Sequence, residues 1–223
     1  MVRFDNVSKT FPNKTKALSS IDFTIETGEF VFLVGPSGAG KTTILRLIFR
    51  EFLPTSGSIL IDDLEINKLK ENQVPFLRRK IGYIFQDFKI LSDRTVAENI
   101  AVTLEILGQK KDIIEKKVID ILKTVGLSEK LNYFPTQLSL GELQRVAIGR
   151  AVAGDTDLIL ADEPTGNLDP QTSWEIFKII DNFHKLGKTV IMATHNVDMV
   201  NSLKKRVITV KEGKIIKTGK VYY

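Results

Sequence analysis

The chain has 223 residues, 43% hydrophobic and 26% charged, with a formal net charge of +5, which is enough to bury one α/β domain with an inserted lobe rather than two independent domains. It has no cysteine, which excludes disulfides and thiolate metal sites and fits a reducing compartment. No apolar run reaches the ~18 to 20 residues of a membrane-spanning helix, and the start, Met1-Val2-Arg3-Phe4-Asp5, has no secretory apolar region, so a cytoplasmic location is expected.

Short β-like runs separated by turn signals open the chain: Val2 to Val7, Ala17 to Ile25, the apolar run Phe30 to Val34, and Gly57 to Asp63. They predict an antiparallel ribbon beside a buried core strand. Phe11, in Lys9-Thr10-Phe11-Pro12, is an aromatic near a turn. Directly after Val34 come Gly35-Pro36-Ser37-Gly38-Ala39-Gly40-Lys41-Thr42 and then Thr43, which fit the phosphate-cradle pattern G-x-x-x-x-G-K-[ST] at every fixed position. The glycines let backbone N–H groups close around phosphate oxygens, the helix start adds partial positive charge, Lys41 adds a full one, and Thr42 offers a hydroxyl to magnesium. A nucleoside triphosphate with Mg²⁺ is the ligand this stretch implies. The helix that follows is expected to reach about Phe52 and to stop at Pro54.

Ile81 to Phe85 is the next core strand, followed by Gln86, and from Val96 to about Val125 the apolar spacing turns helical. Ser139-Leu140-Gly141-Glu142 fits the capping box S-x-x-E ahead of a helix from Leu140 to Val152. Buried strands return at Leu158 to Ala161 and Thr189 to Ala193, separated by a helix around Trp174 to Leu186, and the chain closes on β-like runs at Arg206 to Val210 and Lys214 to Thr218. The basic clusters Arg78-Arg79-Lys80, Lys110-Lys111 and Lys204-Lys205-Arg206 read as solvated surface, with a membrane face as the alternative. No nucleic-acid partner is expected.

The second half of the site lies 121 positions after Lys41, where the apolar strand ends in Asp162 and Glu163. An aspartate at a strand's carboxyl end can hold magnesium, and the adjacent glutamate can take a proton from water attacking the γ-phosphate. Acid pairs after strands also serve as plain turn residues.

Taken in order, the cradle, Gln86, Leu138-Ser139-Leu140-Gly141-Glu142, Asp162-Glu163, Gly166-Asn167-Leu168-Asp169 and His195 resemble an ATP-binding-cassette (ABC) ATPase over essentially the whole chain. The resemblance implies a P-loop NTPase fold with a RecA-like core and antiparallel β subdomain, about 1–86 and 158–223, and an inserted helical subdomain, about 87–157. It implies ATP and Mg²⁺ as ligands and a head-to-tail homodimer in the ATP-bound state, each ATP held by the cradle of one subunit and the Ser139, Gly141 and Glu142 segment of the other. His195 would reach the γ-phosphate. Gln86 would meet Mg²⁺ or the attacking water and join the helical lobe to the core. Phe11 would stack on adenine, unless it is simply packed, and Asp169 would communicate across the dimer or cap its own helix. Mg²⁺ would be shared among Thr42, Gln86 and Asp162.

A cassette with nothing appended implies a separate integral membrane partner on the cytoplasmic face of the membrane. Asp87-Phe88 and Asp93-Arg94-Thr95 resemble the cell-division branch of the family, whereas Ala161 to Asp169 is shared with lipoprotein-releasing and macrolide-exporting cassettes. The chain departs from the family at Leu140, where a glycine is usual, and at Leu143, where a glutamine is common. A bulky apolar side chain beside a polar interface predicts a slower or more tightly gated ATPase, and leaves open a nucleotide-gated interaction module with little hydrolysis.

Overall fold

A computed structural model describes residues 1–219. In chain order the strands and helices are β1 (Val2–Thr10), β2 (Lys16–Ile25), β3 (Phe30–Val34), α1 (Lys41–Ile48), β4 (Ser56–Ile61), β5 (Leu64–Glu65), α2 (Val74–Arg79), β6 (Ile81–Ile84), α3 (Val96–Ile106), α4 (Lys111–Val125), α5 (Leu140–Val152), β7 (Leu158–Asp162), α6 (Pro170–Lys185), β8 (Thr189–Thr194), α7 (Val197–Leu203), β9 (Arg206–Lys211) and β10 (Lys214–Gly219).

Two sheets organise them. The expected ribbon is an antiparallel sheet in the order β2-β1-β4-β5, and the core is a sheet in the order β10-β9-β3-β8-β7-β6. In the core sheet β9, β3, β8, β7 and β6 are parallel, with β10 antiparallel at one edge. Parallel strands are covered on both faces, so they read as continuous apolar runs. Here the alternation sorts them cleanly. Phe30, Phe32, Ile159, Ala161, Val190 and Met192 pack on one face with α3 to α6. Val31, Leu33, Leu158, Leu160, Ile191 and Ala193 pack on the other with α1 and the antiparallel sheet.

Four stretches differ from the sequence reading. α1 ends at Ile48 rather than near Phe52: Arg50 turns left-handed at φ 57° and buries its guanidinium, whose Nε donates to the Ile66 carbonyl at 3.0 Å. The chain is thus pulled off the helix axis before Pro54. α6 begins at Pro170, ahead of the expected Trp174, because Asp169 caps it and proline at its first position needs no hydrogen-bond acceptor. α2 and α7 have no counterpart in the sequence reading; both are short, at 6 and 7 residues, too short for a helical apolar period to declare itself.

The topology decides where chemistry gathers. Val34 lies beside Thr194, Asp162 beside Ala193, and Ile84 beside Ala161. The carboxyl ends of β3, β8, β7 and β6 therefore line up, and ligands of open α/β sheets bind at such an edge.

Candidate nucleotide site

The loop after β3 is built around glycines that nothing else replaces. A Cβ on Gly35 would lie 2.0 Å from the Val210 carbonyl oxygen, and one on Gly40 would lie 2.8 Å from Leu18 Cδ2. Gly40 at φ 110° is the N-cap of α1 and supplies no side-chain cap, so the first amides of that helix are left for another acceptor. Pro36, Ser37 and Gly38 are exposed, Ala39 is buried, and Thr43 is half-buried. Lys41 is 6% exposed. Its ammonium donates to the Gly35 and Pro36 carbonyls at 2.8 and 3.2 Å, curling over the loop in the position where an anion would be met.

Glu163 joins this loop to the strand ends. Its backbone is left-handed at φ 48°, a costly conformation for a residue with a side chain. Hydrogen bonds on both sides hold it there: its N–H donates to the Ala193 carbonyl at 2.9 Å, and its carbonyl accepts from Gly166 at 3.1 Å. The turn aims the carboxylate between two cationic or donor groups. One oxygen is 3.4 Å from Lys41 Nζ, and the other meets the His195 backbone N–H at 3.2 Å and the ring Nδ1 at 2.8 Å. Beside it a cavity of about 310 Å³ is lined by Glu163, Gly166, Trp174, His195, Asp198 and Met199. A Cβ on Gly166 would stand 3.7 Å from Glu163 Cβ and 4.0 Å from the Gln86 amide nitrogen, so the Gln86 amide, two residues past β6, lies beside Gly166 in the turn that Glu163 opens.

Asp162 is 5% exposed. It accepts from the Thr42 hydroxyl at 2.9 Å and from the Tyr83 hydroxyl at 3.3 Å. Burial pushes its carboxyl above the ordinary aspartate range, against the pull of those two hydrogen bonds. The Tyr83 phenol is pushed far up by burial and then by Asp162, so it stays a donor. The sequence reading places Tyr83 in a core strand and gives it no part in the site, and the one signal for such a part is a hydroxyl-bearing residue inside an otherwise apolar strand. Hydroxyl and buried carboxylate are hard oxygen donors of the kind Mg²⁺ takes together with phosphate, so Thr42 and Asp162 fit that ion, and Gln86, past the end of the neighbouring strand β6, has an oxygen of the same kind.

Ser139, Gly141, Glu142 and Asp169 form a second group at the N-termini of α5 and α6. The capping box is present: the Ser139 N–H donates to the Glu142 carboxylate at 2.9 Å and the Glu142 N–H to the Ser139 hydroxyl at 3.3 Å. The Lys130 ammonium, 2.5 Å away, leads in holding the Glu142 carboxyl below its usual range. Asp169 caps α6, accepting the Thr172 N–H at 3.0 Å and the Thr172 hydroxyl at 2.5 Å, and these bonds hold its carboxyl low. The methyl of the same threonine lies 2.5 Å from where a Cβ on Gly141 would be. A side chain at 141 would therefore push against Thr172 inside the chain. Leu140 points outward, 52% exposed.

Phe11 sits apart from the strand ends. Its ring meets Phe52 edge-on at 5.3 Å, with Lys9 Nζ 5.2 Å from its centroid, and its carbonyl and N–H close a turn with Lys14 and Thr15. The packed reading of Phe11 thus has a partner, and the ring remains half-buried.

Residues 18–166 match the family described as ABC transporter. Among curated relatives, the cell division ATP-binding protein FtsE of Bacillus subtilis (strain 168) is 50% identical over 97% of this chain and 95% of its own length. The protein of the same name from Escherichia coli (strain K12) is 45% identical over 96% of each chain. Among solved structures, a dimeric bacterial ABC transporter cassette superposes over the full length of both chains with TM-score 0.91 and 34% identity. A dimeric ATP-binding cassette in a post-hydrolysis state, bound to ADP and Pi, does so with TM-score 0.90 and 33% identity.

Proposed function

This chain belongs to the ABC transporter family and is an ATPase of it, and we propose that it is the ATP-hydrolysing subunit of a cell-division complex, working with an FtsX-like integral membrane protein. What carries the hydrolytic part of this reading is Glu163, a carboxylate held by a left-handed backbone between Lys41 and His195. The names and identities of the FtsE relatives support the cell-division part.

The residues divide the work as follows. Gly35, Pro36, Ser37, Gly38, Ala39 and Gly40 with the first amides of α1, including those of Thr42 and Thr43, cradle the phosphates of ATP. Lys41 gives up its two loop carbonyls for phosphate oxygens, and its 3.4 Å contact with Glu163 weakens as it does so. That frees one carboxylate oxygen to accept the proton of an attacking water while His195 keeps the other in place. Thr42, Asp162 and Gln86 would hold Mg²⁺, which when bound neutralises charge on the phosphates. Phe11 offers its exposed side to adenine. Ser139, Gly141, Glu142 and Asp169 serve the site of a second copy in an ATP-bound homodimer, consistent with the dimeric cassettes it resembles.

The division into a core of about 1–86 and 158–223 and a helical lobe of about 87–157 is part of the proposal, the lobe being what moves. Between them runs a groove of about 400 Å³ lined by Phe49, Pro75, Phe85, Thr103, Ile106 and Leu107, with Ile106 68% exposed. It adjoins the loop from Gln86 to Asn99 and supports docking of the membrane partner there. Among the described residues no helix is long and apolar enough to cross a membrane, so a place on the cytoplasmic face of the membrane would come through that partner.

Two measurements test this. Glu163→Gln should keep ATP binding and slow phosphate release by about 10²-fold or more, the usual worth of a general base; near-normal release would remove Glu163 from the role. Affinity capture of the chain from membranes should recover an FtsX-like protein, and recovery instead of a permease of the lipoprotein-releasing or macrolide-exporting type would overturn the cell-division assignment.

A further inference from the structure

Two residues past Gln86 the backbone enters a conformation that its side chains disfavour. Phe88 and Lys89 stand at φ 58° and 51°, consecutive left-handed residues with no glycine between them. Left-handed backbone is disfavoured for residues with a Cβ, so the surroundings must hold the pair. Arg150, in the last turn of α5, does so: one guanidinium nitrogen donates to the Lys89 carbonyl at 2.5 Å and the other to the Phe88 carbonyl at 2.8 Å. A planar fork meeting two successive carbonyls is a geometry that lysine cannot reproduce.

Arg150 stands where several elements converge. Its own carbonyl accepts from the Thr103 hydroxyl of α3 at 3.2 Å. Next to it β6 presses against α5, since a Cβ on Gly82 would lie 2.4 Å from the Ala151 carbonyl oxygen. Farther along, Asn99, fully buried in the first turn of α3, accepts from the Leu91 N–H, and its two amide protons are shared among the carbonyls of Leu91, Arg94 and Thr95. The segment after Gln86 is thus fastened to the helical lobe at two places, while Gln86 itself leaves the end of a core strand.

We propose that Arg150 is a positioning residue for Gln86, holding the Phe88–Lys89 turn so that the Gln86 amide stays by Gly166, at the turn that carries Glu163. Because α5 runs as one helix from Ser139 to Arg150, roughly 16 Å at 1.5 Å per residue, it also ties the segment offered to a second copy to this chain's own hydrolytic site. The inference rests on the role given to Gln86 above.

A double-mutant cycle on the full chain tests it, reading kcat and KM for ATP, nucleotide affinity and the thermal midpoint for Gln86→Ala, Arg150→Ala, Arg150→Lys and the Gln86→Ala combinations. Each single change should lower kcat by roughly tenfold or more with KM little altered, and Arg150 changes made on top of Gln86→Ala should cost nothing further. Losses that multiply in the double variant would make Arg150 a fold staple and overturn the proposal. If Arg150→Ala does not fold, Arg150→Lys runs the same cycle with the same two outcomes. Normal turnover in Gln86→Ala would instead refute the role of Gln86, and with it this inference.

Discussion

At the scale of single residues, the buried carboxylate of Asp162 sets a cost that the bound ion would relieve. Burial raises its proton affinity, so the folded chain keeps this proton over a pH range in which the unfolded chain has lost it. Stability from this group is therefore full below about pH 3.9, the unfolded value, and is lost as pH rises through the raised folded value. Asparagine would accept from Thr42 through its oxygen and still face Tyr83 with a polar group, without the charge. We expect Asp162→Asn to raise thermal stability at neutral pH by on the order of 1 kcal/mol, flatten that part of the pH dependence and weaken Mg²⁺-dependent turnover. Calorimetric melts from acid to neutral pH check it; a variant less stable than the parent at neutral pH would contradict the burial argument. The cradle pattern is legible from residues alone because it puts glycine, lysine and hydroxyl at fixed spacing, whereas Asp162-Glu163 by itself reads equally as a turn. The part of Tyr83 was not legible, because its use depends on β6 lying next to β7, a pairing that no local pattern encodes.

At the scale of elements, α5 and α6 are joined by one side chain. Thr172 uses its hydroxyl to hold Asp169 and its methyl to fill the space over Gly141. Gly141→Ala should therefore overpack the contact and destabilise the chain by about 1–3 kcal/mol. Adding Thr172→Ser, which removes the methyl and keeps the hydroxyl, should restore most of the loss. Thermal melts of the single and double variants decide this, and a double variant no better than Gly141→Ala would place the strain elsewhere. The sequence signals were strongest for such elements: the capping box at Ser139 and the aspartate before Pro170 both mark real helix starts. They were weakest where a helix ends for tertiary reasons, as at Arg50, whose left-handed turn is secured by carbonyls 16 and 19 residues away. Phe88 and Lys89 carry no local sign of their left-handed backbone, since the arginine that stabilises them is about 60 positions downstream.

At the scale of the whole molecule, the strand order places Gln86, Lys41, Glu163 and His195 at one sheet edge, and leaves Ser139 and Asp169 in another group with Leu140 exposed beside them. One chain thus carries two groups of candidate residues, and the proposed head-to-tail pair would set one group of each copy against the other group of its partner. That a ribbon, a parallel core and a helical insertion follow one another was legible from the run of apolar periods. How the two groups would serve one another was not, since the proposed arrangement depends on two copies. The most direct measurement is the solution mass of Glu163→Gln at saturating Mg·ATP. A dimer that forms with Mg·ATP and dissociates with ADP is the predicted result, and a monomer under both nucleotides would contradict the account.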